Sequence, residues 1–493
     1  MSTLVVLTIA APLVAAAGGL FWRGNTVARD AITICGLAVA MICAFVVLAE
    51  VNNSGTHVVH VGGWQPELGI VLVADLLAAL VLPVALAVIF VVEIFAIGQR
   101  RTVWGANPEL SGPLLCVLTS GVSLAVLTGD LFTLFVAFEL ILVSSYVLLT
   151  NQGRPSQIRA GMTYVVMNLF ASALFLFGVG FVYAATGTVN LALLTERIPE
   201  LSDGVRIGLG AWFFVVFGTK AAVFPLFSWL PDSYPTAPTT ITAVFAGLLT
   251  KIGIYAMIRF HTLTQMDDLG STMLIIAGFT MVIGGLGALA QSDVKRILSF
   301  HIISQIGYML MGLGLFTVAG IAGAIVFLIH NMPVKTVLFL VGGLIENDQG
   351  TSTLDRSGGV ASRRPVLAVL FAIPALSLAG IPPFSGFVAK LAVIAAAIAE
   401  ASVLIVVAAL VAGALTLLSM AKIWLGVFWG PPASEITPVS VPRRYQKTML
   451  GATGLAVCGI LVISAMSGPL FDLCVRAAED LKHPASYVSE VLS

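Results

Sequence analysis

Runs of about twenty apolar residues recur from one end of this chain to the other, and that length is what carries a helix across ~30 Å of hydrocarbon. No other feature narrows the possible folds as far. Backbone in lipid must satisfy its own hydrogen bonds, which leaves helices or closed barrels, and continuous runs of this length read as helices. Charge agrees with that reading: 10% of the 493 residues are charged and 59% are hydrophobic, against roughly 25% charged in a soluble domain. The expected fold is an all-α polytopic membrane protein. About 14 spans can be counted, near residues 3–22, 30–50, 70–97, 111–128, 130–150, 158–185, 205–230, 237–260, 270–290, 296–317, 320–345, 365–400, 402–430 and 448–468. The first run lacks a basic leader and is followed by further spans, so it reads as a transmembrane helix and not as a signal peptide.

Basic residues give the orientation. With the N-terminus outside, 14 of them fall in loops on the inner side, among them Arg23, Arg29, Arg100, Arg101, Arg363 and Arg364. Only 5 fall outside: Arg197, Arg206, Arg259, Arg476 and Lys482. A miscounted span would flip every later loop and erase this asymmetry. Both termini are therefore expected outside. The remaining 5, Lys220, Lys251, Lys335, Lys390 and Lys422, sit within spans, and no arginine is expected to. Lysine can give up its proton when desolvated and arginine effectively cannot, so a set of buried lysines suits a proton relay.

Several classes of function are excluded. A formal net charge of zero argues against nucleic acid as a partner. Cys35, Cys43, Cys116, Cys458 and Cys474 are scattered and never spaced as Cys-x-x-Cys, unlike the usual zinc and iron–sulfur ligand sets. Neither a Walker loop nor a dinucleotide-binding glycine loop occurs. No cofactor and no metal are expected, so an ion gradient or a partner subunit must supply any energy that is coupled.

An internal repeat is visible. The stretch from Phe138-Glu139 to Tyr146 aligns without a gap on Phe300-His301 to Tyr308, setting Glu139 opposite His301. Five spans separate the two stretches, so the second copy would run inverted through the membrane, as in transporters that hold ion sites near the midplane. Helix breakers also pair up: Pro225 follows Lys220, and Pro382-Pro383 precede Lys390. Irregular backbone at membrane depth survives only against protein or water, so both breaks are expected inside the bundle.

The buried charges differ in what they suggest. Glu139 lies about 14–18 Å from either end of its span and Lys220 about as deep, at 1.5 Å per residue. They form the natural opposite-charge pair. Lys251 is roughly 12 Å inside, a strained depth for snorkelling. His330 and Lys335 flank Pro333 about 140° apart on an ideal helix, a separation that a kink would reduce. Histidine is the natural carrier near neutral pH, although a lone one is as often a packing group. His301 is a secondary candidate, as is Lys422, which is close enough to the span's end to snorkel. Asp75 and Glu93 are expected at the bundle surface or against other subunits, with Asp75 a secondary candidate for the path.

The stretch Phe224-Pro225-Leu226-Phe227-Ser228-Trp229-Leu230-Pro231-Asp232-Ser233-Tyr234-Pro235-Thr236-Ala237-Pro238-Thr239 resembles the signature of the antiporter-like, proton-translocating subunits. That family includes the large membrane-arm subunits of respiratory complex I and subunits of Mrp multi-subunit Na⁺/H⁺ antiporters. Ser292-Asp293-Val294-Lys295-Arg296-Ile297-Leu298 with Ser304-Gln305-Ile306-Gly307-Tyr308 is a second block of the same kind. The likeness covers roughly residues 70–430, and within the family the wording from Asp232 to Thr239 and the Lys251-Ile252-Gly253-Ile254-Tyr255 that follows Thr250 look most like the D-type Mrp subunits. The chain ends soon after its last span, without the long lateral helix of the L-type complex I subunit.

The resemblance implies two inverted five-helix units, spans 4–8 and 9–13, with spans 7 and 12 broken. Residues 1–110 would hold spans 1–3, residues 111–260 and 270–430 the two units, and 448–493 the last span and a tail. It also implies that Glu139 and Lys220 match the family's glutamate–lysine pair, Lys251 its central lysine and Lys390 its terminal charged residue; His330 and Lys335 transfer less directly. The expected function is a subunit of a hetero-oligomeric Na⁺/H⁺ antiporter in a prokaryotic cell membrane, with A-, B-, C-, E-, F- and G-type subunits as partners, and membrane lipid around it. The alternative is a proton-pumping subunit of complex I or of a membrane-bound hydrogenase. Neither makes the chain itself an enzyme.

Overall fold

A computed structural model describes residues 1–67, 69–100, 109–431 and 442–493. Arg101, assigned above to an inner loop, lies outside them.

The chain begins with α1 (Ser2–Phe21) and α2 (Thr26–Ser54), the second capped by Asn25, whose side chain accepts from the N–H groups of Val27 and Ala28. A small antiparallel pair, β1 (His57–His60) and β2 (Val71–Ala74), leads into α3 (Leu76–Arg100). Next come α4 (Ser111–Leu127), α5 (Leu131–Thr150), α6 (Pro155–Thr186) and the short α7 (Leu191–Arg197). An interrupted span follows, made of α8 (Asp203–Ala221) and α9 (Trp229–Ser233). α10 (Thr239–Val244) and α11 (Thr250–Leu263) form one rod through a widened π turn at Phe245–Leu249. Then follow α12 (Gly270–Ala290), α13 (Val294–Gly314), α14 (Val318–Gln349) and the single turn α15 (Val360–Arg363). A second interrupted span consists of α16 (Pro365–Ala379) and α17 (Ser385–Ala399). α18 (Val403–Ile423), α19 (Arg443–Ala465), α20 (Ser467–Lys482) and α21 (Ala485–Leu492) complete the chain.

Among the described residues, 11 helices are long and apolar enough to cross a membrane, and α4, α16 and α17 are shorter apolar helices. Burial sorts them into layers. The rod Thr239–Leu263 and α14 are buried over their whole apolar windows, whereas α1, α2 and α19 are buried over about a third. The buried rods form the middle of the bundle and carry Lys251, His330 and Lys335.

Two stretches of backbone recur in register. Asp130 caps α5 by accepting from the N–H of Thr133, and Asp293 caps α13 by accepting from that of Arg296. Beside the first cap, Leu131 N–H donates to Val189 O and Leu191 N–H to Gly129 O. Beside the second, Val294 N–H donates to Ser352 O and Leu354 N–H to Ser292 O. The same caps, bridges and following helices thus appear twice. Counted from the capping aspartates, His301 stands one residue earlier in α13 than Glu139 does in α5, about 100° around the helix. The gapless alignment therefore does not set the two side chains at equivalent points.

Both expected breaks occur, each at a left-handed residue: Ala222 (φ 63°) after α8 and Gly380 (φ 85°) after α16. Their placement differs from the expectation. Pro225, Pro382 and Pro383 are exposed on the flank of this chain, and only the ends of the half-helices face inward. Neighbouring side chains serve the interrupted backbone. Trp229 Nε1 donates to Thr219 O (3.1 Å), Phe224 N–H donates to Thr280 Oγ1 (3.1 Å), and Ser385 N–H donates to Ser464 Oγ (2.9 Å). Pro333, by contrast, does not end its helix; α14 runs through it.

Candidate functional site

Lys220 lies in the last turn of α8, where the helix dipole presents its negative end to a cation. Its ammonium is buried, donates to Ser172 Oγ (2.9 Å) and Asn168 O (3.2 Å) of α6, and stands 5.7 Å from the centre of the Phe138 ring. Glu139, the next residue after Phe138, is within electrostatic reach of Lys220. The two do not form a direct ion pair: the hydroxyl and carbonyl of α6 hold the ammonium, while Glu139 Oε1, shut off from solvent, has no hydrogen-bond partner among the described residues. The expected pair is thus an electrostatic one, with Asn168 and Ser172 as the direct partners. Nothing above singled out those two residues, although their four-residue spacing in an apolar span was a usable signal.

Lys251 is fully buried in the central rod, two residues past the π turn, and its ammonium donates to Ala246 O at 2.5 Å. A π turn takes carbonyls out of the regular i→i−4 ladder, and Lys251 uses one of them. Lys335 of α14 is equally buried and within electrostatic reach of both Lys251 and Lys390. Its Nζ has no hydrogen-bond partner among the described residues, and the same holds for both polar atoms of Asn331 and of Gln305, and for Thr250 Oγ1. So dense a set of unsatisfied polar atoms is the kind that ordered water serves in protein interiors.

His330 contacts Ser385 Oγ through Nδ1 (2.8 Å), which ties α14 to the start of α17. His301, fully buried, contacts Ser419 Oγ of α18 through Nε2 (2.6 Å). Lys390 reaches back from α17 to Ala379 O, the last residue of α16 (2.9 Å), with its ammonium 5.4 Å from the Tyr308 ring centre. The four amines of Lys220, Lys251, Lys335 and Lys390 all face protein: the most exposed of these residues, Lys390, is 8% accessible.

Several expectations are corrected. Asp75 is not at the surface. It is buried and paired with Arg259, whose Nη2 donates to Asp75 Oδ1 at 2.7 Å. Arg259 in turn lies within α11, so an arginine does occupy a span and is not a loop residue; Asp75 neutralises it there. Glu93 is buried as well, at 1% accessibility. Lys422 is half-buried and does not join the other lysines; it donates to Leu289 O (2.9 Å) and Gln291 O (2.7 Å), capping α12. Among the described residues, no three His, Cys, Asp or Glu side chains gather as a metal site needs.

Known proteins share both the sequence and the fold. Residues 128–416 match the family described as NADH:quinone oxidoreductase/Mrp antiporter, transmembrane. The chain is 42% identical, over the full length of both, to the D-type subunit of the Na⁺/H⁺ antiporter of Alkalihalophilus pseudofirmus, and 36% identical to that of Bacillus subtilis, again over both full lengths. It superposes on a chain of the Mrp complex from Dietzia sp. with a TM-score of 0.92 at 32% identity, covering all of both chains. A chain of the membrane-bound sulfane sulfur reductase, an archaeal respiratory membrane complex, matches with a TM-score of 0.90 at 26% identity over 99% of each.

Proposed function

Since the chain belongs to the NADH:quinone oxidoreductase/Mrp antiporter transmembrane family, we propose that it is the D-type subunit of a multi-subunit Na⁺/H⁺ antiporter and carries protons along Glu139, Lys220, Lys251, the His330–Lys335 region and Lys390. The observation that carries this reading is the row of amines enclosed in protein with no carboxylate among the described residues bonded to any of them. A buried ammonium held by neutral groups alone is costly, and intramembrane charges of this kind mark ion pathways. Neighbouring lysines also repel when charged. Charge on Lys251 or on Lys390 acts on Lys335 between them, so a proton held at either neighbour favours departure from Lys335.

The protein's part is to hold these groups at half-helix ends and beside polar atoms that water can join. No covalent chemistry is proposed. Protons moving down their gradient would drive Na⁺ the other way through the complex, in the plasma membrane of a prokaryote, with both termini outside. The exposed helix breaks at Pro225 and Pro382-Pro383 then require cover, which the A-, B-, C-, E-, F- and G-type subunits would provide. In this reading the two recurring units are the inverted five-helix halves of residues 111–260 and 270–430.

Glu139→Ala and Lys220→Ala should each abolish Na⁺/H⁺ exchange in membrane vesicles while the complex still assembles. Near-normal exchange by either assembled variant removes that residue from the route. The likeness to a chain of a respiratory complex favours one second reading, a proton-pumping subunit of a redox enzyme. Vesicles containing only this gene's own complex would decide it: exchange driven by an imposed Na⁺ gradient, with no electron donor, belongs to the antiporter alone.

A further inference from the structure

Beneath the C-terminal helices α20 and α21 is a cavity of about 240 Å³, away from the row of lysines. Asp75, Arg476, Asp480 and Glu490 line it, so both signs of charge meet a space too polar to stay dry. Tyr487 lines it too. That residue is 5% accessible, and its hydroxyl, closed to bulk solvent, has no hydrogen-bond partner among the described residues. One oxygen of Glu490 is in the same condition. A buried phenol normally finds a partner, so an unserved one on the wall of a charged cavity points to water held there.

The cavity has a polar floor. Asp75 is bound by Arg259, which also donates through Nη2 to the Tyr255 hydroxyl (2.7 Å), and the Tyr255 hydroxyl donates to Val126 O (2.5 Å). Arg259 and Tyr255 continue along α11 to Lys251 at intervals of four residues. Such spacing keeps all three on one face, about 6 Å apart along the axis per step. A single polar stripe therefore runs from the cavity to the central lysine.

We infer that this cavity is a water-filled port joining Lys251 to the solvent beside the C-terminal helices, with the Asp75–Arg259 pair as its gate. This rests on the proton-relay reading and adds a side branch to it. Arg259 stays charged at any physiological pH and repels a metal cation at the floor. A proton passes differently: it bonds to an Asp75 oxygen, which weakens the hold on Arg259. It then leaves Asp75 through water to the Tyr255 hydroxyl oxygen, as that hydroxyl's own proton, donated to Val126 O in this structure, is handed through water to the neutral amine of Lys251. The port is thus selective for protons over Na⁺.

Ser486 lines the cavity and is exposed, which makes it the point of attack. In vesicles holding the whole complex, Ser486→Cys is treated with a membrane-impermeant cationic thiol reagent, and exchange is measured on the same vesicles before and after. The unsubstituted complex, treated alike, controls for the native cysteines. Labelling should slow exchange roughly tenfold, the effect of a modest added barrier. Full labelling by mass with unchanged exchange overturns the port, and so does failure to label, because the cavity is then not open to water. Tyr255→Phe, which removes only the hydroxyl, should slow exchange to a similar degree in the assembled complex; an unaltered rate also overturns it. The relay reading fails separately, if Glu139→Ala vesicles still exchange.

Discussion

Lys220 and Lys390 meet the same kind of partner from opposite directions. The first sits in the last turn of its own half-helix, α8, while the second reaches back from α17 to the last carbonyl of α16. A cation at a helix C-terminus gains about 0.3–1 kcal/mol at an exposed site and up to ~2 when partly buried. That interaction eases burial without neutralising the charge, which leaves the proton free to move. At Lys220 the direct acceptors matter as much. Ser172→Ala deletes one of two and should cost about 1–3 kcal/mol of local stabilisation, read as slower exchange with an unchanged melting temperature for the rest of the complex, whereas Ser172→Thr should retain the rate. The ionisable members of the site were legible because a charge within an apolar run stands out. Asn168 and Ser172 offered only their four-residue spacing, and Ser385 and Ser419 not even that, because small polar residues in spans have many uses and contact is what separates them.

At the scale of elements, the interrupted spans depend on close approach by a neighbour. A Cβ on Gly253 of α11 would lie 2.7 Å from Ala221 N and 3.0 Å from Lys220 C, so α11 packs directly on the end of α8. Gly253→Leu should push that end outward and take Lys220 with it. Loss of exchange in a complex that still assembles, together with altered protease sensitivity between α8 and α9, would be the expected pair of readings. Gly386 does the same for the second break, where an added Cβ would overlap Ser377 O. Pro225 and Pro382-Pro383 announced these breaks in the sequence, whereas Pro333, read there only as a kink, leaves α14 continuous. The difference is the surroundings. α14 is enclosed by other helices along its length, and neighbours in a bundle can re-satisfy the backbone group that a proline frees.

Across the whole molecule, the Asp75–Arg259 pair ties the start of α3 to the end of α11, two elements far apart in the chain. Both charges are buried, so removing one leaves the other uncompensated. Asp75→Ala should lower stability by about 3–5 kcal/mol, while Asp75→Leu with Arg259→Met should recover most of it. Thermal unfolding of the purified complex in detergent checks both. A double variant that regains stability but not transport would also separate the pair's structural part from its part in moving protons. Helices α20 and α21 close the same region from the other side, so the C-terminal tail belongs to the core assembly and is not an appendage.

Apolar run length determined, from the sequence alone, that the chain is a bundle of membrane helices, because backbone in hydrocarbon must satisfy its own hydrogen bonds and continuous runs of that length do so as helices. The conspicuous charges within those runs also named Glu139, Lys220, Lys251, Lys335 and Lys390 before any coordinates. Only the tertiary structure decided what each charge faces. Arg259 and Asp75 cancel one another, Lys422 caps a helix, and His301 stands about a quarter of a turn from where its alignment set it. Position in a span fixes depth, but a helix has every direction open to its side chains, and the neighbours that choose among them come from distant parts of the chain.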